Sequence, residues 1–198
     1  TRAQIGAFTT LLDTLAAAGI RFEKRHIANS DAIASFPETC REPFNLVRTG
    51  INLYGAFTSE GRRALGLEPV LALKTRLAAV RALPAGAAIG YNLTCRLPRR
   101  ARVGTLAAGY ADGLPLALSN RGHVLIRGMP CPILGRLSMD YTTISLEAVP
   151  DAAVGDEATC LGGEGAQAVR VEDWAALKGT HAYDILCAIG PRVERRYH

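Results

Sequence analysis

Gly109-Tyr110-Ala111-Asp112-Gly113 follows the apolar run Val103 to Ala108, and Gly135-Arg136-Leu137-Ser138-Met139-Asp140 comes further along the chain. Taken alone, a glycine-flanked tyrosine after a strand reads as an ordinary turn. Glycine also lets the backbone bend and approach a neighbour closely, so such a turn can offer a tyrosine hydroxyl to a pocket. Around the two motifs short β-like runs alternate with turns: Leu71 to Leu83, His123 to Arg127, Cys131 to Leu134, Tyr141 to Leu146 and Val154 to Leu161. Pro84-Ala85-Gly86 ends the first run, and Gly128-Met129-Pro130 reads as a tight turn between the second and third. Val171 to Lys178 and His181 to Ile189 are the helices expected here. Residues 69–198 therefore read as a mostly β domain.

Upstream the texture differs. Ile5, Phe8, Leu12 and Leu15 recur at spacings of three and four, which predicts an amphipathic helix over residues 3–18 with Gly19 as its stop. Ile20 to Ala28 reads as a strand, Asn29-Ser30 as the cap of a short helix from Asp31 to Phe36, and Pro37 as its end. Phe44 to Arg48 reads as a second strand, followed at once by Gly50. Helix, strand, helix, strand is the rhythm of an α/β unit. Thr58 to Pro69, polar and interrupted by glycines and a proline, reads as a linker. The expected fold class is α/β plus mostly β, divided near residue 68. Two strands cannot close a barrel or bury their faces, so residues 1–68 read as part of a larger α/β arrangement.

Of the 198 residues 48% are apolar, enough for a core and far from the composition of a disordered chain. No apolar run approaches the ~20 residues of a membrane span. No secretory-signal pattern opens the chain, and it begins without Met, which suggests processing or a piece of something longer. The net charge of +5 is modest, and the densest basic stretches, Arg99 to Arg102 and Arg192 to Arg196, lack interleaved aromatics, so no nucleic-acid partner is expected. Cys40, Cys95, Cys131, Cys160 and Cys187 form no CxxC pair, which argues against zinc and disulfides and for reduced thiols in the cytoplasm. His26, His123, His181 and His198 show no metal spacing, so no metal is expected, and His26 reads as a strand residue. The glycine-rich stretch Leu161 to Gly165 lacks the Lys-Ser/Thr of a nucleotide loop and reads as a turn.

Together the two opening motifs resemble the tyrosine-base and substrate-loop segments of alanine racemases, pyridoxal-phosphate enzymes that interconvert L- and D-alanine. Three further segments fall in consistent order. His26-Ile27-Ala28-Asn29-Ser30-Asp31-Ala32 is similar to the family's cofactor-phosphate segment, and Phe44 through Arg48, Gly50 and Ile51 to Gly55 is similar to its arginine segment. Tyr183-Asp184-Ile185-Leu186-Cys187 through Pro191-Arg192-Val193 resembles its closing segment. The family has a (β/α)8 barrel followed by a β domain. The resemblance thus implies that residues 1–68 are the last units of a partial (β/α)8 barrel and 69–198 the β-rich C-terminal domain.

The resemblance also implies roles. Ser30, Gly50 and Ile51 would hold the phosphate of pyridoxal 5'-phosphate, with Tyr183 reaching it as well. Barrels bind phosphate in the loops after strands 7 and 8, and a helix start at Ser30 favours an anion. Read from the residues alone, Ser30 is a simple helix N-cap and Tyr183 a core tyrosine on a helix. Arg48 would donate to the pyridine nitrogen. A cation there disfavours ring protonation and weakens the ring as an electron sink, which raises the demand on two well-placed acid/base groups. Tyr110 would be one of them, reaching the site of a partner subunit in a homodimer with shared active sites. A free phenol has a pKa of ~10 and needs a neighbouring charge or hydrogen-bond network to act as a base near neutrality. Met139 matches the position whose backbone meets the carboxylate of a small amino-acid substrate, while Arg136 reads as a structural residue paired with a carboxylate. A bulky Tyr183 favours a methyl side chain on that substrate. The family's cofactor lysine lies near its N-terminus in a lysine-alanine-asparagine-alanine-tyrosine context, and Lys24, Lys74 and Lys178 do not stand in one. The expectation is therefore the C-terminal portion of a racemase, inactive without the missing N-terminal barrel portion. A non-catalytic β domain that binds a partner, or a serine or broad-specificity racemase, are the alternatives.

Overall fold

The computed structural model describes residues 1–57 and 66–197, so His198 and residues 58–65, which hold most of the expected linker from Thr58 to Pro69, lie outside the described residues. The chain divides into two units, Thr1–Glu68 and Pro69–His198.

In the first unit, helix α1 (Arg2–Ala17) stops at Gly19. Gly19 has φ +81°, its N–H reaches Ala16 O at 3.1 Å, and Ile20 N–H reaches Leu15 O at 2.8 Å. These paired bonds satisfy carbonyls that a helix end otherwise leaves bare. The apolar stripe of α1 faces inward at Phe8, whose ring stacks on Phe44 with centroids 6.0 Å apart. Helix α2 (Ser30–Ser35) is capped by Asn29, whose Oδ1 accepts from Ala32 N at 3.0 Å.

The two expected strands of this unit are not ladders. Residues 20–28 and 44–48 form no strand, and the chain bends at Glu23; one parallel bridge joins Asn29 and Arg48, with Arg48 N donating to Ala28 O at 3.0 Å. Nearer Arg25 the backbone makes one bond, Asn45 N to Arg25 O at 2.9 Å, and the side chain of Asn45 supplies the others. Its Oδ1 accepts from Arg25 N at 2.9 Å and its Nδ2 donates to Glu23 O at 2.8 Å. A side-chain amide that satisfies the backbone in this way removes the repeat a strand requires.

The second unit is built on strands β1 (Leu73–Leu83), β2 (Ala88–Ile89), β3 (Cys95–Arg96), β4 (Ala101–Leu106), β5 (His123–Ile126), β6 (Met129–Pro132), β7 (Thr142–Ser145) and β8 (Glu157–Leu161). Six of them form an antiparallel sheet in the order β6-β5-β8-β1-β4-β7, and β2 and β3 form a separate ribbon. The outer strands meet just past β6, where Ile133 bridges Ile144 and Leu134 N donates to Thr143 O at 2.8 Å. That contact closes the sheet on itself and removes open edges. β1 is long because it serves two neighbours: its first half pairs with β8, its second half with β4, and the register shifts between Leu77 and Ala79. A bulge of this kind bends a strand from one partner to the next.

Leu77, Leu106, Ile126, Ile144 and Leu161 fill the interior, each under 2% exposed. Burying each such side chain contributes about 1.5–3 kcal/mol. Helices α3 (Val171–Lys178) and α4 (Ala182–Ala188) cover this unit, with Trp174 buried on α3. The hairpin turn between β5 and β6 is Arg127-Gly128 rather than Gly128-Met129-Pro130. Both turn residues are left-handed, φ 52° and 76°, and Ile126 pairs directly with Met129. Two left-handed residues match the twist of the strands they join. Arg127 is braced there by ion pairs to Asp151 and Asp156.

Candidate active site

In the first unit, Ser30 opens α2 and is 3% exposed. Asn29 is the cap, so the Ser30 hydroxyl is left for a different bond, and its Oγ accepts the Gly50 N–H at 2.9 Å. A hydroxyl that accepts one bond still has its hydrogen to donate. Gly50 leads into a 3-10 turn, Ile51–Tyr54, in which Ile51 is buried. Among the described residues the Ile51 N–H meets no partner, as the first donor of a helical turn does not. The Gly50 N–H, expected in a phosphate cradle, is already taken by Ser30.

Arg48 lies two residues before Gly50, and its Nη1 contacts His26 Nδ1. A guanidinium only donates, so Nδ1 is the acceptor and the ring hydrogen sits on Nε2. His26, expected in a strand, lies in none and is instead the partner of Arg48. Nothing local in the sequence marks this pair, 22 residues apart; the parallel bridge between Asn29 and Arg48 brings the two segments together. Arg48 also borders a groove of about 570 Å³ whose walls include Gln4, Phe8, Ile27, Asn29 and Asp31.

In the second unit the two glycine motifs are one structure. Gly109 leads into a short 3-10 turn, Tyr110–Asp112, and its N–H is held by Asp112 Oδ2 at 2.9 Å. Tyr110 N donates to Ser138 O at 3.1 Å and Ala111 N to Met139 O at 3.0 Å. A Cβ on Gly109 would lie closer than 3.0 Å to the Ser138 and Met139 carbonyls. Close approach, not handedness, requires glycine here, since φ is −147°. Ser138 closes its own turn, its Oγ donating to Tyr141 O and accepting from Tyr141 N, each at 3.0 Å. Tyr110 and Met139 are 44% and 52% exposed, and the Met139 N–H is unpartnered among the described residues.

Arg136 departs from expectation. It is exposed and makes no ion pair among the described residues. The carboxylate of its loop, Asp140, pairs instead with Arg192 at 2.8 Å. Tyr183, in the first turn of α4, is 41% exposed and meets His181 edge to face, so it is not a core tyrosine. The far end of α4 presses on the first motif: a Cβ on Gly113 would come 2.9 Å from Ala188 O.

Gly90, followed by a further exposed phenol, Tyr91, packs on the start of the loop of residues 135–140. A Cβ on Gly90 would lie 2.5 Å from Arg136 N. Tyr91 is 68% exposed. The two residues after it, Asn92 and Leu93, are both left-handed at φ 61° and 51°. Consecutive non-glycine residues in that region store strain, which persists where the surroundings enforce it and clusters at functional sites. Here Asn120 enforces it: its Nδ2 donates to Thr94 Oγ1 at 3.0 Å and its Oδ1 accepts Gly135 N at 2.6 Å. Gly90-Tyr91 carries the same sequence cue as Gly109-Tyr110, a tyrosine behind a glycine, but has no companion motif to single it out.

Comparison with known proteins bears on both units. Residues 1–58 match the family model of the alanine racemase N-terminal domain, and residues 70–197 that of the alanine racemase C-terminal domain. The alanine racemase of Desulfosudis oleivorans is 39% identical over 197 residues, 98% of this chain and 50% of that protein. The crystal structure of alanine racemase from D-cycloserine-producing Streptomyces lavendulae superposes with a TM-score of 0.87 at 38% identity, over 97% of this chain and 50% of that one. Alanine racemase from Bacillus anthracis with bound L-Ala-P gives 0.83 at 34% identity, over 96% and 48%. The chain spans about half the length of the relatives it matches.

Proposed function

The chain belongs to the alanine racemase family, and we propose from this that it serves the pyridoxal-phosphate-dependent interconversion of L-alanine and D-alanine. The observation that carries this reading is the Ala111–Met139 backbone bond of 3.0 Å, which sets an exposed phenol loop against an exposed loop with a free N–H.

The residues present fit the cofactor. Ser30 has a hydroxyl hydrogen to give and Ile51 a free N–H, two donors suited to a phosphate ester. Arg48 can only donate, so it suits an unprotonated ring nitrogen, and His26 orients it. When bound, pyridoxal phosphate acidifies the substrate α-carbon by drawing electrons into its ring. This chain's own part is to bind, orient and move a proton. The Met139 N–H would hold the substrate carboxylate, and a phenol would carry the proton on one face of the α-carbon. The family resemblance supports Tyr110 in that role; Tyr91, 68% exposed and followed by the left-handed Asn92 and Leu93, is the alternative. Of the lysines, Lys74 pairs with Glu157 and Lys178 with Asp184. We infer that the lysine which bears the cofactor comes from the half of the family's length that this chain does not span.

The family also supports a homodimer with shared sites, a cytoplasmic location and D-alanine supply for peptidoglycan. The Bacillus anthracis relative has L-Ala-P bound, which supports alanine as the substrate.

The test joins these residues to the lysine-bearing half of the Desulfosudis oleivorans relative. Alanine racemisation and exchange of the α-hydrogen with deuterium are then measured. Tyr91→Phe or Tyr110→Phe should slow both by about 10²–10⁴-fold with the cofactor's absorbance unchanged. Unchanged turnover in both variants, in both directions, sinks the reading.

A further inference from the structure

Arg192 lies four residues beyond α4, and its guanidinium reaches both site loops of the second unit. Its Nε meets Asp112 Oδ1 at 3.3 Å and its Nη2 meets Asp140 Oδ1 at 2.8 Å. Asp112 is the more sheltered carboxylate, with 17% of its side chain exposed, and its other oxygen holds Gly109 N at 2.9 Å. Asp140 directly follows Met139. One cation thus ties together the turn that carries Tyr110, the turn that carries Met139, and the segment leaving the helix that carries Tyr183.

The charge arithmetic gives this contact a purpose. Two carboxylates on loops joined, among the described residues, by two backbone bonds repel each other when nothing lies between them. A cation between them turns that repulsion into two attractions. The planar guanidinium presents neighbouring N–H groups in a fixed fork, so it sets both the separation and the angle of the two carboxylates. A lysine supplies the charge without the fork.

We propose that Arg192 is a positioning residue: it fixes the spacing of the Tyr110 loop against the Met139 loop, and with it the placement of a phenol relative to the N–H that would meet the substrate carboxylate. The clamp stands on this geometry alone; what it positions rests on the racemase reading.

The first arm of the test is amide hydrogen exchange on the 198-residue chain. Arg192→Met should speed exchange at Gly109, Tyr110 and Ala111 about tenfold, with Arg192→Lys intermediate. The amides of Leu77 and Leu146, bonded to Asp156 O and Arg102 O within the sheet unit, should keep their rates. Unchanged rates at the loop, or equal acceleration at Leu77 and Leu146, overturn the clamp. The second arm is kinetic and uses the protein joined to its barrel half. Arg192→Met should lower kcat about tenfold with KM moving less than about twofold, and Arg192→Lys should recover part of kcat. Loosened loops with an unchanged kcat overturn the positioning role. Failure of the unsubstituted protein to racemise alanine removes the racemase reading, and the exchange arm still decides the clamp.

Discussion

Gly109 and Met139 touch backbone to backbone, and no side-chain carbon fits on Gly109 without coming closer than 3.0 Å to the Met139 carbonyl. Carbonyl atoms locked in a turn cannot swing aside as a flexible side chain can. Gly109→Ala should therefore push the two loops apart and cost about 1–3 kcal/mol in urea unfolding. Gly6, inside α1, has open space around it, and its replacement by alanine should instead stabilise by up to ~1 kcal/mol. Equal effects of the two substitutions would show that the loops are not in contact.

Ser30→Ala removes the acceptor of the Gly50 N–H in a buried place. A buried donor left bare costs about 1–3 kcal/mol, so unfolding at lower urea is expected. The same hydroxyl is proposed to hold a phosphate. In the protein joined to its barrel half, titration with pyridoxal phosphate should show affinity about tenfold weaker, while pyridoxal, which lacks the phosphate, should bind as before. Equal weakening of both would remove Ser30 from the phosphate site.

What the sequence discloses, and what it hides, follows from the range of the interactions. α3 and α4 are legible because a helix is written in neighbouring residues. Tyr110 and Met139 are legible because each stands in a compact motif. Ile20 to Ala28 looks like a strand by composition, but Asn45 satisfies its backbone from the side, and no local pattern announces that. The closing contact between Ile133 and Ile144, the His26–Arg48 pair and the bridging role of Arg192 join residues remote in sequence. Tyr91 differs: its glycine cue is local, and Asn92 suits a positive φ by type, but the second left-handed residue, Leu93, does not advertise its strain.

The cysteines should divide by burial. Cys160 lies inside the sheet unit, and burial pushes its thiol up to about 12, with the charge of Asp112 adding to the effect. Burial also raises Cys131, while a backbone bond at Ile126 partly opposes it. Cys40 and Cys187 are exposed. The thiolate is the reactive form, so iodoacetamide at pH 8 should label Cys40 and Cys187 in the folded chain and leave Cys131 and Cys160 unmodified until denaturant is added. Early labelling of Cys160, read by peptide mass, would contradict the packed interior.

Asp184 follows Tyr183 in the first turn of α4, and Lys178 at the end of α3 reaches its carboxylate at 2.6 Å. The Lys178 hydrogen bond is the main reason its carboxyl lies below the ordinary 3.8, with partial desolvation opposing. A carboxyl lowered by folding stabilises the fold above its unfolded value and loses that contribution as pH falls through the folded value. The stabilisation should thus be complete at neutral pH and fade from about pH 4 downward. The pair is exposed, so salt should screen it. Lys178→Met should move the Asp184 titration midpoint, followed by NMR, back toward 3.8. It should also lower stability at pH 7 and leave it equal to the unsubstituted chain once Asp184 is protonated in both proteins. A midpoint that ignores the substitution would mean that the α3–α4 corner, and with it the setting of Tyr183, is held by the packing of Trp174 and Ile185 without help from this ion pair.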